Sequence, residues 1–223
     1  MNDCLRLIAY GDCNTSCLPG GDGLAFPEEV ASVLGAEVKN LGHTMSTTRE
    51  LLRLARDFPP ADHGIALIQY GLVDSWLTFR HAPYVLYYPD NPWRKVLRKL
   101  VKKIKKCARS LRLQNLLGAA NVVPLDEYRH NIRTVVTAAP ATRFYIISTA
   151  PNLDEPRNPI ITSYNKALAD LCAELPNATY IETYATLYPR RHELYLADGT
   201  HLNAAGQAVV TELVLDTLRT ARS

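Results

Sequence analysis

Apolar positions follow two rhythms along this chain, and the rhythms alternate. Residues 5–10 (LRLIAY), 64–70 (GIALIQY) and 143–149 (RFYIIST) are nearly unbroken apolar runs of strand length, with shorter ones at 36–40 and 179–182. Between them apolar residues recur every three or four positions, the spacing of one helix face. Pro27-Glu28-Glu29 opens one such helix, with proline and acids in its first turn, and Gly35 closes it. Thr47 or Thr48 caps a second that runs to Asp57, where Pro59-Pro60 stops it. Further helices are predicted over 125–138, 165–175 and 203–219. Strands alternating with helices predict a parallel, doubly wound α/β sheet with helices on both faces, in a single domain over 1–223.

The alternation breaks at an insert, residues 75–118. Its first half is rich in aromatics and proline. Its second half is basic: residues 94–112 hold ten Lys/Arg and no acid. The chain as a whole carries +3; without those ten, fifteen basic side chains face 22 acidic ones, a net of −7. One helix therefore holds the charge asymmetry. Leu97, Leu100, Val101, Ile104, Ala108 and Leu111 share a face of it, so the plainest expectation is a solvated helix packed on the domain by that stripe. The same pattern suits a lid, a membrane-surface helix, or a landing patch for an anionic partner such as an acyl carrier. No nucleic-acid recognition motif accompanies the charge, and nucleic acid is not expected. Trp76, Tyr84, Tyr87, Tyr88 and Trp93 read as packing within the insert, or as a wall for a sugar or acyl group.

No apolar run approaches membrane-spanning length, and the N-terminus lacks a signal-type pattern. Those two features predict a cytoplasmic protein without a spanning helix. Five cysteines, an odd number without zinc-ligand spacing, fit reduced thiols and no metal site, although Cys13 and Cys17 leave a redox pair open. Nothing resembling a phosphate-binding or dinucleotide loop points to a cofactor.

Candidate chemistry collects at two distant places. The first apolar run ends abruptly in Gly11-Asp12-Cys13-Asn14-Thr15, and strand ends of open α/β sheets are where backbone N–H groups converge on ligands. Near the other end stands Asp198-Gly199-Thr200-His201, whose carboxylate and imidazole are close enough in sequence to pair. Acyl transfer needs a nucleophile, a base, a group that orients the base, and donors for an oxyanion. Cys13, His201 and Asp198 fill the first three roles. Donors near Cys13 would favour its thiolate.

These blocks resemble the SGNH, or GDSL-type, esterase and acyl-hydrolase superfamily. Gly11-Asp12-Cys13-Asn14-Thr15 is similar to its nucleophile block, with Cys where the family has Ser. In Asn40-Leu41-Gly42-His43-Thr44-Met45-Ser46, Met45 stands at the usual oxyanion glycine, and in Gly71-Leu72-Val73-Asp74, Val73 stands at the oxyanion asparagine. Asp198-Gly199-Thr200-His201 matches the last block in full. The resemblance implies a three-layer α/β/α sandwich with a five-stranded parallel sheet. It also implies an oxyanion hole built from the N–H groups of Cys13 and Met45. Asp12, Asn14, Gly42, His43, Val73 and Asp74 would brace the site or lie near substrate. The third block also resembles a branch found among bacterial surface-polysaccharide proteins. The expected activity is hydrolysis of an acylated glycan or metabolite through an acyl-Cys intermediate. Acyl transfer through the same three residues, and a binding protein that has lost catalysis, stand as alternatives.

Overall fold

The computed structural model describes residues 5–16, 25–110 and 118–221. The first strand, β1 (Arg6–Gly11), runs into a single-turn helix, α1 (Cys13–Ser16). There follow α2 (Phe26–Leu34), β2 (Glu37–Asn40), α3 (Thr48–Asp57) and β3 (Ile65–Gln69). The insert supplies β4 (Leu77–Phe79), α4 (Pro92–Ser110) and β5 (Ala119–Asn121). The chain then completes its alternation with α5 (Leu125–Thr137), β6 (Arg143–Ile147), α6 (Asn158–Glu174) and β7 (Ala178–Ile181). Two short helices, α7 (Tyr184–Leu187) and α8 (Arg191–Leu194), precede the closing α9 (Ala204–Thr220).

The main sheet is parallel and ordered β2-β1-β3-β6-β7. Burial on both faces explains why its central strands read as unbroken apolar runs. Successive side chains point to opposite faces. Ile8, Tyr10, Ala66, Ile68, Phe144 and Ile146 join one core with residues of α3, α5 and α6. Leu7, Ala9, Ile65, Leu67, Tyr145 and Ile147 join the other, with residues of α2 and α9. The result is the three-layer α/β/α arrangement expected from the alternation.

Local chemistry sets the helix ends. Gly35 takes the left-handed conformation (φ 60°) that closes α2, and its N–H returns to Ala31 and Ser32 carbonyls. Thr47 caps α3 in a reciprocal box with Glu50, and the Asn203 side chain accepts from the Gly206 N–H at the start of α9. One boundary differs from expectation: α6 begins at Asn158 rather than residue 165. Pro159 occupies its first turn, where a missing N–H costs nothing.

The insert leaves and rejoins the body at one place. Its flanks pair as the antiparallel ribbon β4–β5, which pattern alone did not reveal because each strand is three residues long. Val122 N–H donates to Trp76 O (2.8 Å) and Val123 N–H to Asp74 O (3.0 Å), extending the closure to the body. Residues 92–110 are helical as predicted, but the expected seating on the apolar stripe is overturned. Arg94 Nη1 donates to the carbonyls of Tyr88 and Pro89 (2.9 and 3.0 Å). Arg98 Nη1 donates to Leu86 and Tyr87 carbonyls (3.2 and 3.3 Å), and its other nitrogen pairs with Asp90. Arginine forks thus hold the helix down, because the aromatic loop beneath it presents carbonyls that need donors. Val96, Leu97, Leu100 and Ile104 are about half exposed instead, each forgoing part of the ~1.5–3 kcal/mol that full burial gives. Trp93 is exposed with them, so it does not pack within the insert. Leu111 and the loop over 17–23, including Cys17, lie outside the described residues.

Candidate active site

The C-terminal ends of β1 and β3, the loop after β2 and the turn before α9 converge on one spot. As β1 ends, Asp12 N–H still donates to Gln69 O of β3 (3.2 Å). The chain then coils into α1: the Asp12 carbonyl accepts from Thr15 and Ser16 N–H, and its carboxylate accepts from Asn14 N–H (3.0 Å). Asp12 therefore shapes this turn. Cys13 stands at the start of α1, 5% exposed.

The thiol is not poised as a thiolate. Burial pushes it well above its ordinary value and the neighbouring Asp12 charge adds to the rise. The nearby N–H groups of Cys13, Met45 and Asn14 pull the other way, but burial wins. The expectation that nearby donors would favour the thiolate is corrected here: the donors are present, yet too little water reaches the sulfur. Asp12 is itself fully enclosed, and burial raises its carboxyl to about 7.

The loop after β2 brings Met45 to the sulfur. His43 N–H donates to Gly11 O (3.1 Å), and Asn40 binds both the Thr15 carbonyl (2.8 Å) and the Glu28 carboxylate (2.9 Å). A Cβ on Gly42 would stand 2.5 Å from Ser16 N and 2.7 Å from Thr15 C, so only glycine lets this loop lie against α1. Met45 has φ 63°, a left-handed conformation that L side chains rarely adopt. A conformation that glycine adopts at no steric cost is thus held here under a methionine side chain. The His43 ring bonds only the neighbouring Thr44 carbonyl (3.0 Å) and lies 6.5 Å from the Tyr87 ring.

After β3, Val73 is buried and carries no side-chain donor. Asp74 is fully buried beside it. One of its carboxylate oxygens accepts from the N–H and hydroxyl of Thr48 (2.9 and 2.7 Å), tying this loop to the start of α3. Its other oxygen has no hydrogen-bond partner, and burial raises this carboxyl to about 7 against the opposing Thr48 bonds.

The second half of the constellation is a tight turn with Gly199 at φ 68°. His201 Nδ1 lies 2.5 Å from Asp198 Oδ2, while Asp198 Oδ1 accepts from the N–H groups of Thr200 (2.9 Å) and His201 (3.0 Å). Partial burial would raise this carboxyl, but the His201 bond and the two N–H donors outweigh it and hold Asp198 below its ordinary value. The carboxylate stays ionised and orients the ring. Asn14 stitches the turn to the cysteine: its side chain donates to Thr200 O (3.4 Å) and accepts from Leu202 N–H (2.9 Å). Gln207 of α9 adds a bond to Asn14 O (2.9 Å) and accepts from Phe26 N–H (3.0 Å). The residues flanking His201 are thereby fixed beside Cys13, although no hydrogen bond joins His201 to the sulfur itself.

Beside this spot a cavity of about 460 Å³ runs under α4. Met45, Val73, Trp76, Phe79, Tyr84 and Val101 give it an apolar lining, and Arg98, Lys102 and Lys106 add positive charge. Trp76, Tyr84 and Tyr87 thus form a wall next to the site. Among the described residues no group of His, Cys, Asp and Glu is arranged to hold a metal ion. No described helix is long and apolar enough to cross a membrane.

Glu50 escaped the sequence reading. It is completely buried and accepts from Thr47 N–H (2.9 Å), Tyr84 hydroxyl (2.9 Å) and Tyr87 N–H (2.7 Å), so it anchors the cavity wall to α3. The Thr47-x-x-Glu50 spacing signalled a cap, but its second duty toward the insert leaves no local trace.

The profile of the GDSL-like lipase/acylhydrolase family matches residues 8–209. Among solved structures, an acetylxylan esterase from Geobacillus stearothermophilus superposes with a TM-score of 0.64 at 18% identity, covering 95% of this chain and 93% of that one. A catalytic mutant of the same enzyme gives 0.64 at 19% identity over 97% and 95%. An alpha/beta hydrolase from the metagenome of Lake Arreo, Spain, gives 0.64 at 15% identity over 95% and 94%. No curated protein sequence matches the chain.

Proposed function

Because this chain belongs to the GDSL-like lipase/acylhydrolase family, we propose that it cleaves acyl esters by passing the acyl group through a thioester on Cys13. The observation that carries this reading is the Asp198–His201 pair at 2.5 Å, tied by Asn14 to the turn that bears the thiol. Asp198 holds Nδ1, which leaves Nε2 of His201 to work on the sulfur. The thiol is neutral at rest, so its proton leaves for Nε2 only as the S–C bond forms and the carbonyl electrons move onto oxygen. The N–H groups of Cys13 and Met45, which lie near the sulfur, receive that oxyanion. The intermediate collapses, the ester C–O bond breaks, and His201 returns the proton to the departing alcohol. Water then attacks the thioester, gives a proton to His201 and releases the acid, and the sulfur regains its proton.

Val73 supplies no donor where the family has asparagine. One missing oxyanion donor is worth about 2.7–4 kcal/mol, so turnover should be slow for this fold. The cavity beside Met45 and Val73 accommodates an apolar acyl group, with Arg98, Lys102 and Lys106 near an anionic portion of the substrate. An acylated glycan or metabolite meets that description, and the esterase acting on acetylxylan offers a precedent within the fold. The same thioester can pass its acyl group to an alcohol or amine, and a largely water-excluded sulfur favours that outcome.

Intact-mass spectrometry after incubation with activated esters and acyl thioesters tests the proposal. An acyl adduct on Cys13, absent from Cys13→Ala and from His201→Ala, is expected. Its partition between water and added sugars distinguishes hydrolase from transferase. A folded chain that takes no adduct from any donor would overturn the thioester proposal and favour the binding-protein alternative.

A further inference from the structure

We propose that α4 is a membrane-surface element that seats the protein on an anionic phospholipid bilayer. The proposal is independent of the reaction at Cys13. It rests on how the helix is mounted. Arg94 and Arg98 spend their guanidinium groups on carbonyls of the loop beneath, so the arginine edge of the helix faces the body and Lys99, Lys102, Lys103 and Lys106 stay exposed. The apolar stripe points outward: Trp93 is 81% exposed, Val96 62%, Leu97 48%, Leu100 53% and Ile104 41%. These five positions, at spacings of three, one, three and four, form a continuous band along roughly three turns. Scattered exposed leucines are ordinary, whereas a contiguous band with tryptophan at one end signals an interaction surface.

Charge decides the occupant. Lys99, Lys102, Lys103 and Lys106 have no ion-pair partner among the described residues, and the stretch contains no acid. A second copy of this helix would set like charges against each other. A nucleic acid would neutralise the lysines and leave the tryptophan, leucines and isoleucine in water. A bilayer with anionic headgroups satisfies both halves: the apolar band enters the headgroup–acyl boundary, while lysine stems reach up to the phosphates. Nineteen helical residues lie flat over roughly 28 Å, enough for a footprint without insertion across the membrane. Val101, Lys102 and Lys106, on the same helix, also line the cavity, so the element that rests on lipid would place the cavity close to that surface.

The test is co-sedimentation of the full chain with vesicles of phosphatidylcholine alone and of phosphatidylcholine mixed with phosphatidylglycerol. Binding to the mixed vesicles, released by salt, is expected, with little binding to the neutral ones. Leu100→Glu with Ile104→Glu should weaken that binding at least about tenfold, as should Lys99→Glu with Lys103→Glu. All four side chains are exposed, so melting temperature should hold. In a Trp76→Phe background, Trp93 emission should shift to the blue on vesicle addition, a readout that needs no helix substitution. Absence of binding to either vesicle overturns the proposal. So does undiminished binding by the Leu100→Glu/Ile104→Glu chain, which would mark a purely ionic patch for a polyanion. Lipid-free dimers abolished by that same pair of substitutions would assign the band to a second copy instead.

Discussion

Met45 concentrates the tension at the site. A side chain with φ 63° costs about 1–2 kcal/mol relative to ordinary backbone, and this conformation sets the Met45 N–H beside the Cys13 sulfur. Met45→Gly should therefore be neutral or stabilising by up to about 1 kcal/mol in urea unfolding and should retain ester turnover. Met45→Val, β-branched, should lose about 1–2 kcal/mol. Asp12 and Asp74 make a second residue-scale prediction. Both carboxyls sit at about 7 in the fold against 3.8 for a free aspartate, so the native state keeps protons that the unfolded chain releases. Their contribution to stability falls as pH rises from about 4 to about 7 and levels off above that. Asp74→Asn should flatten part of that slope in unfolding measured across this range; an unchanged slope would remove Asp74 from the account. Asp198, held below its ordinary value, acts in the opposite sense and weakens the fold only as acid protonates it. The Asp198–His201 pair was legible from sequence because its geometry is local. The raised thiol was not, since burial depends on the loops after β2 and β3 closing over α1.

At the scale of elements, the main strands and the capped ends of α2, α3 and α9 could be read from apolar runs and turn chemistry, because each such signal lies within its own segment. The seating of α4 could not. Apolar stripe and cationic flank predict the same helix whichever side meets the body, and the choice was made by carbonyls in the 86–90 loop. Glu50 likewise gathers donors from an insert more than thirty residues away. Glu50→Ala would remove the carboxylate that accepts from both the Tyr84 hydroxyl and the Tyr87 N–H. Hydrogen bonds to a charged group contribute about 1.5–3 kcal/mol each, so a loss of at least about 3 kcal/mol is expected. Proteolysis should then cut first within the insert, between β4 and β5. Cleavage elsewhere first would show that Glu50 does not anchor this segment.

For the molecule as a whole, the uneven charge is the property with most reach. Residues 94–112 hold ten cations, three of which line the cavity, while the rest of the chain carries −7. An anionic ester should therefore show a KM that rises with ionic strength, whereas a neutral ester of similar size should not. Equal salt dependence for both would mean that Arg98, Lys102 and Lys106 take no part in recognition.

The Asn14 clamp carries a consequence for how the protein is made. Leu202, the partner of Asn14, lies 188 residues further along and leaves the ribosome correspondingly later. Until residues 198–202 have been made, the thiol exists without the imidazole. In that interval the sulfur also lacks the loops that bury it, so an alkylating reagent should reach Cys13 more readily in a partly made chain than in the folded one.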